Sequence, residues 1–181
     1  MTKSRIGALS AIVRAEGADA MLLTGEVGLI YATTVTALEG QCIVFADDTA
    51  IFITDGRYIE VAEQRLTPQG FQVLNRSSAT PVTVYLERLL QAHQVQKLLY
   101  EDDTLTVQEF AALREQISCE FHPLGNRIAA LRACKSEAEI AALKEQSGLQ
   151  PGDALFFIAD AKDAANKLGG LVRTEIANGL G

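Results

Sequence analysis

A strand, a tight turn and an amphipathic helix follow one another without a spacer over residues 51–64, and this stretch constrains the fold more than any other. Its first four residues, Ile-Phe-Ile-Thr, are apolar or β-branched and predict a buried strand. Asp55 and Gly56 predict a turn, because glycine tolerates sharp turns and the aspartate carboxylate can accept backbone N–H bonds at a helix start. Apolar residues then recur at helical spacing, at Ile59, Ala62 and Leu66.

The rest of the chain alternates between strand and helix patterns in the same way, up to about residue 148. Apolar periodicity predicts helices over residues 4–16, 104–117 and 126–134, and the helix after the Asp55-Gly56 turn is broken at Pro68. A further helix opens at Thr80-Pro81 and is capped by Thr80. Short apolar runs predict strands at residues 19–24, 40–46, 50–54, 71–74, 97–100 and 119–122. Residues 25–36 are ambiguous between the two patterns. The alternation predicts an α/β fold, a mixed sheet with helices on both faces.

The two predicted strands at residues 40–46 and 50–54 are joined by a turn at Asp47-Asp48. Strands joined by so short a turn should pair antiparallel.

Charge and hydropathy exclude several classes of protein. The chain has 16 Lys and Arg against 23 Asp and Glu, a net charge of −7, which argues against non-specific nucleic-acid binding. Hydrophobic residues make up 48% of the chain, enough for a core, yet no apolar run is long enough to span a membrane. The residues Met1-Thr-Lys-Ser-Arg5 lead into a helical pattern without an apolar signal core, so we expect a cytoplasmic location.

The cysteines and histidines do not form a recognisable metal or nucleophile motif. Cys42, Cys119 and Cys134 are odd in number and widely spaced, which predicts free thiols in a reducing compartment. A catalytic thiol would need His93 or His122 as its partner, and neither lies in a nucleophile-like setting. We expect both histidines to be ordinary surface residues.

Two motifs together resemble the N-terminal domain of the creatinase, prolidase and aminopeptidase P family. The first is Phe52-Ile-Thr-Asp-Gly-Arg-Tyr58 with the acidic, alanine-containing helix behind it. The second is Asn126-Arg-Ile-Ala-Ala-Leu-Arg132, followed by a capping box of Ser136 and Glu139. The resemblance covers roughly residues 4–147. It implies a creatinase N-terminal-like α/β domain over residues 1–133 and a connecting helix over residues 134–148.

The catalytic machinery of the resembling family lies in a second domain. There a divalent metal pair is held by two Asp, one His and two Glu, and no such constellation can be placed in this sequence. The resemblance therefore implies a non-catalytic domain of an Xaa-Pro metallopeptidase, without a cofactor of its own, truncated before the catalytic domain. Its implied role is subunit contact and substrate gating.

Asp55, Arg57 and Tyr58 are the candidate binding residues. In the resembling family this domain can reach the active site of a neighbouring subunit, so these side chains would help to shape a substrate pocket there. The alternative is structural: Asp55 caps a helix, Arg57 pairs with a nearby carboxylate and Tyr58 packs with its hydroxyl group satisfied.

One departure from the family lies between Thr24 and Gly40. Tyr31 fits the family pattern, but Gly28 stands where the family has Asn, and Thr34 stands where it has Gly. In full-length relatives this region lies toward the substrate entrance, so the departure argues against a substrate-facing role for it in this chain.

The tail, residues 149–181, reads as a β-α appendage: an apolar strand and a helix that starts at Asp160 and buries residues up to Val172 and Ile176. It resembles part of the insertion domain of bacterial aspartyl-tRNA synthetase through Pro151-Gly-Asp153 and Lys167-Leu-Gly-Gly-Leu-Val-Arg173, and it carries no catalytic residue. A unit this small cannot fold unaided. We therefore expect its strand to extend a sheet edge or to pair across a homo-oligomer.

The joining of two resemblances leaves other interpretations open. The chain can be a recombined or engineered chimera without native activity, a natural fusion or a misread gene. It can also be an accessory module related to the synthetase.

Overall fold

The chain divides into two compact units, Met1–Cys134 and Lys135–Gly181. The computed structural model describes residues 4–77, 79–133 and 140, together with the backbone of two strands at 154–157 and 172–175. The helices of the first unit are α1 (Arg5–Ala15), α2 (Glu26–Thr33), α3 (Ile59–Leu66), α4 (Val82–Ala92), α5 (Val107–Gln116) and α6 (Arg127–Ala133). Its strands are β1 (Ala20–Leu23), β2 (Gln41–Phe45), β3 (Ala50–Thr54), β4 (Phe71–Asn75), β5 (Lys97–Tyr100) and β6 (Glu120–Pro123).

The six strands form one sheet in the order β4-β3-β2-β1-β5-β6. β2 pairs antiparallel with both of its neighbours, β1 and β3, as predicted for the β2–β3 hairpin. The pairs β3–β4, β1–β5 and β5–β6 are parallel. The five strands other than β2 therefore point the same way, and their carboxyl ends share one edge of the sheet. We call it the carboxyl edge, and the opposite one the amino edge.

Alternation along the central strands divides the core into two layers, because successive side chains of a strand point to opposite faces. On β2, Cys42 and Val44 face one layer, whereas Ile43 and Phe45 face the other. The first layer receives buried residues from α1, α2, α3 and α6, among them Leu9, Leu29, Leu66 and Ile128. The second receives residues from α4 and α5, among them Leu86, Leu90 and Leu113. The predicted mixed sheet with helices on both faces is confirmed.

Three helix starts differ from the sequence-based assignment. Residues 25–36, which were ambiguous in sequence, contain α2. The prediction that Thr80 caps α4 is wrong by one residue: Pro81 holds the cap position, and no side chain caps the helix. α5 starts at a capping box of Thr106 and Glu109, whose side chains each bond the other's free backbone N–H.

The second unit contains an antiparallel pair of strands, β7 (Ala154–Phe157) and β8 (Val172–Glu175). β7 lies within the predicted tail strand. The predicted inclusion of Val172 in a helix is wrong, because this β-branched residue pairs with Phe157 in the β7–β8 ladder. The capping box at Ser136 and Glu139 and the body of the tail helix lie outside the described residues. Within the described part of the chain, no helix combines the length and apolar character needed to cross a membrane.

Candidate functional site

The carboxyl edge has two places where neighbouring parallel strands send their helices to opposite faces. β3 leads into α3 in the first layer, while β4 leads into α4 in the second. β1 leads into α2 in the first layer, while β5 leads into α5 in the second. Ligands of α/β sheets bind outside the carboxyl ends of adjacent strands whose following helices go to opposite faces. We call the β3–β4 position the outer switch point and the β1–β5 position the inner switch point.

Asp55 lies at the outer switch point, directly after β3. Its Oδ1 accepts a hydrogen bond from the backbone N of Arg57 (3.0 Å), and its carbonyl oxygen accepts one from the N of Tyr58 (3.1 Å). Helix α3 begins only at Ile59, with Tyr58 at its cap position and no side-chain cap. The interpretation of Asp55 as a helix cap is therefore corrected: its carboxylate fixes the turn that precedes the helix.

Arg57 is held in a fork by two carboxylates. Its Nε and Nη2 donate to Oδ1 and Oδ2 of Asp55 (3.1 and 2.9 Å), and Nη2 also donates to Oε2 of Glu39 (3.1 Å). The guanidinium carbon lies 5.1 Å from the ring centroid of Tyr58. Its Nη1 makes no hydrogen bond within the part of the chain that the structure describes, and the side chain is 67% exposed. The three predicted residues are thus brought together around one oriented, solvent-facing cation.

At the outer switch point, the interaction between Asp55 and Arg57 keeps both side chains charged. Hydrogen bonds from Arg57 lower the pKa of Asp55 to about 2, and the charges of Arg57 and Arg76 act in the same direction. The Asp55 bond raises the pKa of Arg57. Glu39 is anchored because its carbonyl accepts a 2.6 Å bond from the Oγ1 of buried Thr54.

Glu101 lies at the inner switch point and is 4% exposed. Its Oε2 accepts hydrogen bonds from the backbone N atoms of Thr24 and Gly25, both at 2.7 Å. Gly25 is the cap residue of α2 and offers no side chain of its own to the free N–H groups there. A carboxylate is the group that the positive end of a helix favours. The inner switch point is therefore filled by a side chain of the same domain.

Two glycines leave room for Glu101 and its neighbour Thr104. A Cβ at Gly28 would lie 2.1 Å from Glu101 Oε1, and one at Gly25 would lie 2.4 Å from Thr104 Cγ2. An Asn at position 28, which the resemblance led us to expect, would therefore force the Glu101 side chain to move. At the other end of α2, Thr34 has φ +61°. The resemblance led us to expect Gly at position 34, and this backbone conformation disfavours a β-branched residue.

Burial raises the pKa of Glu101, and the bonds from Gly25 and Thr24 oppose that shift. The nearby charge of Asp103 raises the pKa further. Sequence reasoning missed this residue. The available signal was an acidic run, Glu101-Asp-Asp103, placed directly after a predicted strand.

Among the described residues, no three His, Cys, Asp or Glu side chains cluster so as to hold a metal ion. His93 stacks on Phe45 with a centroid distance of 4.4 Å, and His122 Nε2 lies 2.9 Å from a Glu120 carboxylate oxygen. Cys42 and Cys119 are free thiols, as predicted, buried and half-buried respectively.

Residues 5–134 match the family model of the creatinase/prolidase N-terminal domain. The chain belongs to this family. No curated protein matches it.

Solved structures agree with the family match. The Xaa-Pro dipeptidase from Bacillus anthracis is 29% identical with a TM-score of 0.70, over 83% of this chain and 44% of that one. The N-terminal domain of the cytoplasmic peptidase PepQ from Mycobacterium tuberculosis is 28% identical with a TM-score of 0.62, over 72% of this chain and 100% of that one. The X-Pro aminopeptidase from Thermotoga maritima, 17% identical with a TM-score of 0.63, covers 80% of this chain and 45% of its own, and shows the shared fold alone. The chain thus spans less than half the length of the Bacillus anthracis relative.

Proposed function

We propose that residues 5–134 act as the non-catalytic domain of an Xaa-Pro metallopeptidase of the aminopeptidase P or prolidase type, in subunit contact and substrate gating. The family match supports this role. The observation that carries it is the outer switch point, where Asp55, Arg57 and Tyr58 present an ordered cation to solvent.

The chemistry of this cation suits a peptide. A guanidinium has five N–H donors, and the two on Nη1 are left for a ligand. They can donate to a carbonyl or carboxylate oxygen of the substrate. Asp55 and Glu39 hold the guanidinium plane before the substrate arrives, which lowers the entropy lost on binding.

The pocket is completed by another subunit in this proposal. The resemblance assigns a divalent metal pair, which polarises the scissile carbonyl and supplies hydroxide, to the catalytic domain of full-length relatives. The described residues of this chain offer no ligand cluster for such a pair. We expect the purified chain to cleave no Xaa-Pro dipeptide in the presence of Mn²⁺, Co²⁺ or Zn²⁺, and metal-stimulated cleavage would contradict the proposal.

A grafted enzyme tests the role of Arg57. Residues 5–134 replace the corresponding domain of the Bacillus anthracis Xaa-Pro dipeptidase, and Arg57→Ala is compared with Arg65→Ala, an exposed arginine on α3. Loss of one charge-assisted hydrogen bond at an exposed site should raise KM about three- to ten-fold at nearly constant kcat. Arg65→Ala should leave KM unchanged. Equal KM values for the two variants would show that Arg57 does not contact the substrate.

Mixed oligomers test the contribution to a neighbour. A subunit with Arg57→Ala and an intact catalytic domain is paired with a catalytically dead subunit that keeps Arg57. If Arg57 acts across the interface, the pair regains the KM of the unsubstituted enzyme. If KM stays at the Arg57→Ala value, the residue acts within its own subunit or not at all.

The second unit is left outside this proposal. The likeness of residues 149–181 to the synthetase insertion domain gains no support from the comparisons, and β8 begins at Val172, where apolar periodicity predicted helix. A chimeric origin stays a prediction from sequence, as do a homo-oligomer through the sheet edge or tail and the absence of nucleic-acid and membrane partners. The Mycobacterium tuberculosis relative is described as cytoplasmic, and we propose the same compartment here.

A further inference from the structure

A cavity of about 300 Å³ opens at the amino edge of the sheet, at the opposite end of the strands from both switch points. The second half of α4 and the two loops that enter β5 and β6 form its wall. Its volume lies at the lower end of the range for small-ligand pockets, which is about 300–1,000 Å³. The lining residues are Glu87, Leu90, Gln91, Gln94, Val95, Gln96, Ser118 and Cys119.

The wall contains a buried carboxylate with no cation beside it. Glu87 is 8% exposed. Its Oε1 accepts a 2.5 Å bond from Gln91 Nε2, and its Oε2 accepts a 3.1 Å bond from the backbone N of Ser118. Both donors are neutral, and no ion pair joins Glu87 to another described residue. Buried charges in proteins are normally paired with an opposite charge. The Glu87 carboxylate is therefore the group in the cavity that a cationic ligand would pair with.

The rest of the wall suits a small cation with an apolar portion. Buried Leu90 and Val95 provide an apolar surface, and exposed glutamine side chains at the rim provide carbonyl acceptors. Burial raises the pKa of the half-buried Cys119 thiol to about 11, and the negative charges of Glu87 and Asp19 add to the increase.

We propose that this cavity binds a small organic cation, a primary ammonium or a guanidinium, through the Glu87 carboxylate. Its N–H groups would donate to the carboxylate and to the glutamine carbonyls, and its carbon atoms would lie on Leu90 and Val95. This site is independent of the peptidase role, because it lies at the other edge of the sheet.

Cys119 provides the first readout. In a Cys134→Ser background, labelling rates are measured with aminoethyl and sulfonatoethyl methanethiosulfonates, while Cys42 stays fully buried. The Cys119 sulfur attacks the reagent, a mixed disulfide forms and methanesulfinate leaves. The charge ratio is the labelling rate of the cationic reagent over that of the anionic one, divided by the same quotient for the unfolded chain. We expect a charge ratio of about ten, because a negatively charged cleft raises the local concentration of cations. Glu87→Gln should bring the charge ratio most of the way toward one, since only the charge of Asp19 then remains, and Glu60→Gln, an exposed carboxylate on α3, should not change it.

Protection by a ligand provides the second readout and needs no substitution at Glu87. Methylguanidinium at constant ionic strength should slow labelling by the neutral methyl methanethiosulfonate at least two-fold, whereas tetramethylammonium, which has no N–H group, should not. A charge ratio near one in the folded protein, a ratio that survives Glu87→Gln, or equal protection by the two cations would each overturn the proposal.

Discussion

The two switch points of the carboxyl edge show two uses of the same topology. At the inner one, Glu101 is buried and accepts hydrogen bonds from the backbone N–H groups of Thr24 and Gly25, directly before α2, so a side chain of the same domain fills this point. At the outer one, Asp55 pairs with an exposed arginine, so this point presents a charge to solvent. The pKa of Glu101 is raised by burial, whereas hydrogen bonding lowers that of Asp55. A carboxylate after a parallel strand can therefore accept hydrogen bonds from backbone N–H groups within the core, as Glu101 does, or orient an exposed cation, as Asp55 does.

The largest effect should come from the inner switch point. Glu101→Ala removes two charge-assisted bonds and leaves the N–H groups of Thr24 and Gly25 without their partner. We expect the free energy of unfolding, measured by urea titration, to fall by about 2–4 kcal/mol. Glu60→Ala, on an exposed face of α3, is the matched control and should change stability by less than about 0.5 kcal/mol. Equal effects of the two substitutions would mean that Glu101 does not hold α2.

Gly28→Ala tests the close contact between α2 and Glu101. The added Cβ displaces the Glu101 carboxylate, so we expect a loss of about 1–3 kcal/mol. With Glu101→Ala already present, the clash is gone, and the higher helix propensity of alanine should make Gly28→Ala neutral or stabilising by up to about 1 kcal/mol. A double-mutant cycle measures this reversal of sign. Additive effects would contradict the contact.

The pH dependence of stability separates the two carboxylates. Because the folded-state pKa of Glu101 is raised above its ordinary 4.5, its contribution falls as pH rises from about 4.5 through the raised pKa, and Glu101→Gln should remove that slope. Because the pKa of Asp55 is lowered from 3.8 to about 2, its contribution is lost as pH falls through that window, and Asp55→Asn should flatten the acid limb. Thermal unfolding from pH 2 to 7 checks both. If the two carboxylates contributed slopes of the same sign to stability against pH, the opposite pKa shifts of Glu101 and Asp55 would be contradicted.

The smallest effect should come from the far end of α2. Thr34 adopts a left-handed conformation that glycine adopts freely, so Thr34→Gly should stabilise the protein by about 1 kcal/mol. Thr36→Gly is the control, since its φ is not positive and glycine there only adds flexibility to the unfolded chain. If both substitutions destabilise, Thr34 is not strained.

The difference between the two regions also explains what the sequence could predict. Asp55, Arg57 and Tyr58 lie within four residues, and the turn and helix that place them follow from local patterns. Glu101 bonds to Thr24 across 77 residues, a contact fixed by strand order rather than by any local signal. The β2–β3 hairpin was predictable for the same local reason.

Errors arose where a local pattern was short or ambiguous. Residues 25–36 are ambiguous by pattern, and Glu101, which follows a strand distant in sequence, accepts a hydrogen bond from the cap residue of α2. Val172–Glu175 could be read as the continuation of a helix, because four residues do not distinguish a strand from a helix by periodicity.

The most direct test of the account is an NMR titration of the labelled protein with an Ala-Pro dipeptide at millimolar concentration. We predict chemical-shift changes at the Nε–H of Arg57 and the amide of Tyr58, none at the amides of Thr24 and Gly25, and loss of the response in Arg57→Ala. Shifts at Thr24 and Gly25, or an unchanged response in Arg57→Ala, would contradict the claim that the outer switch point is the open one.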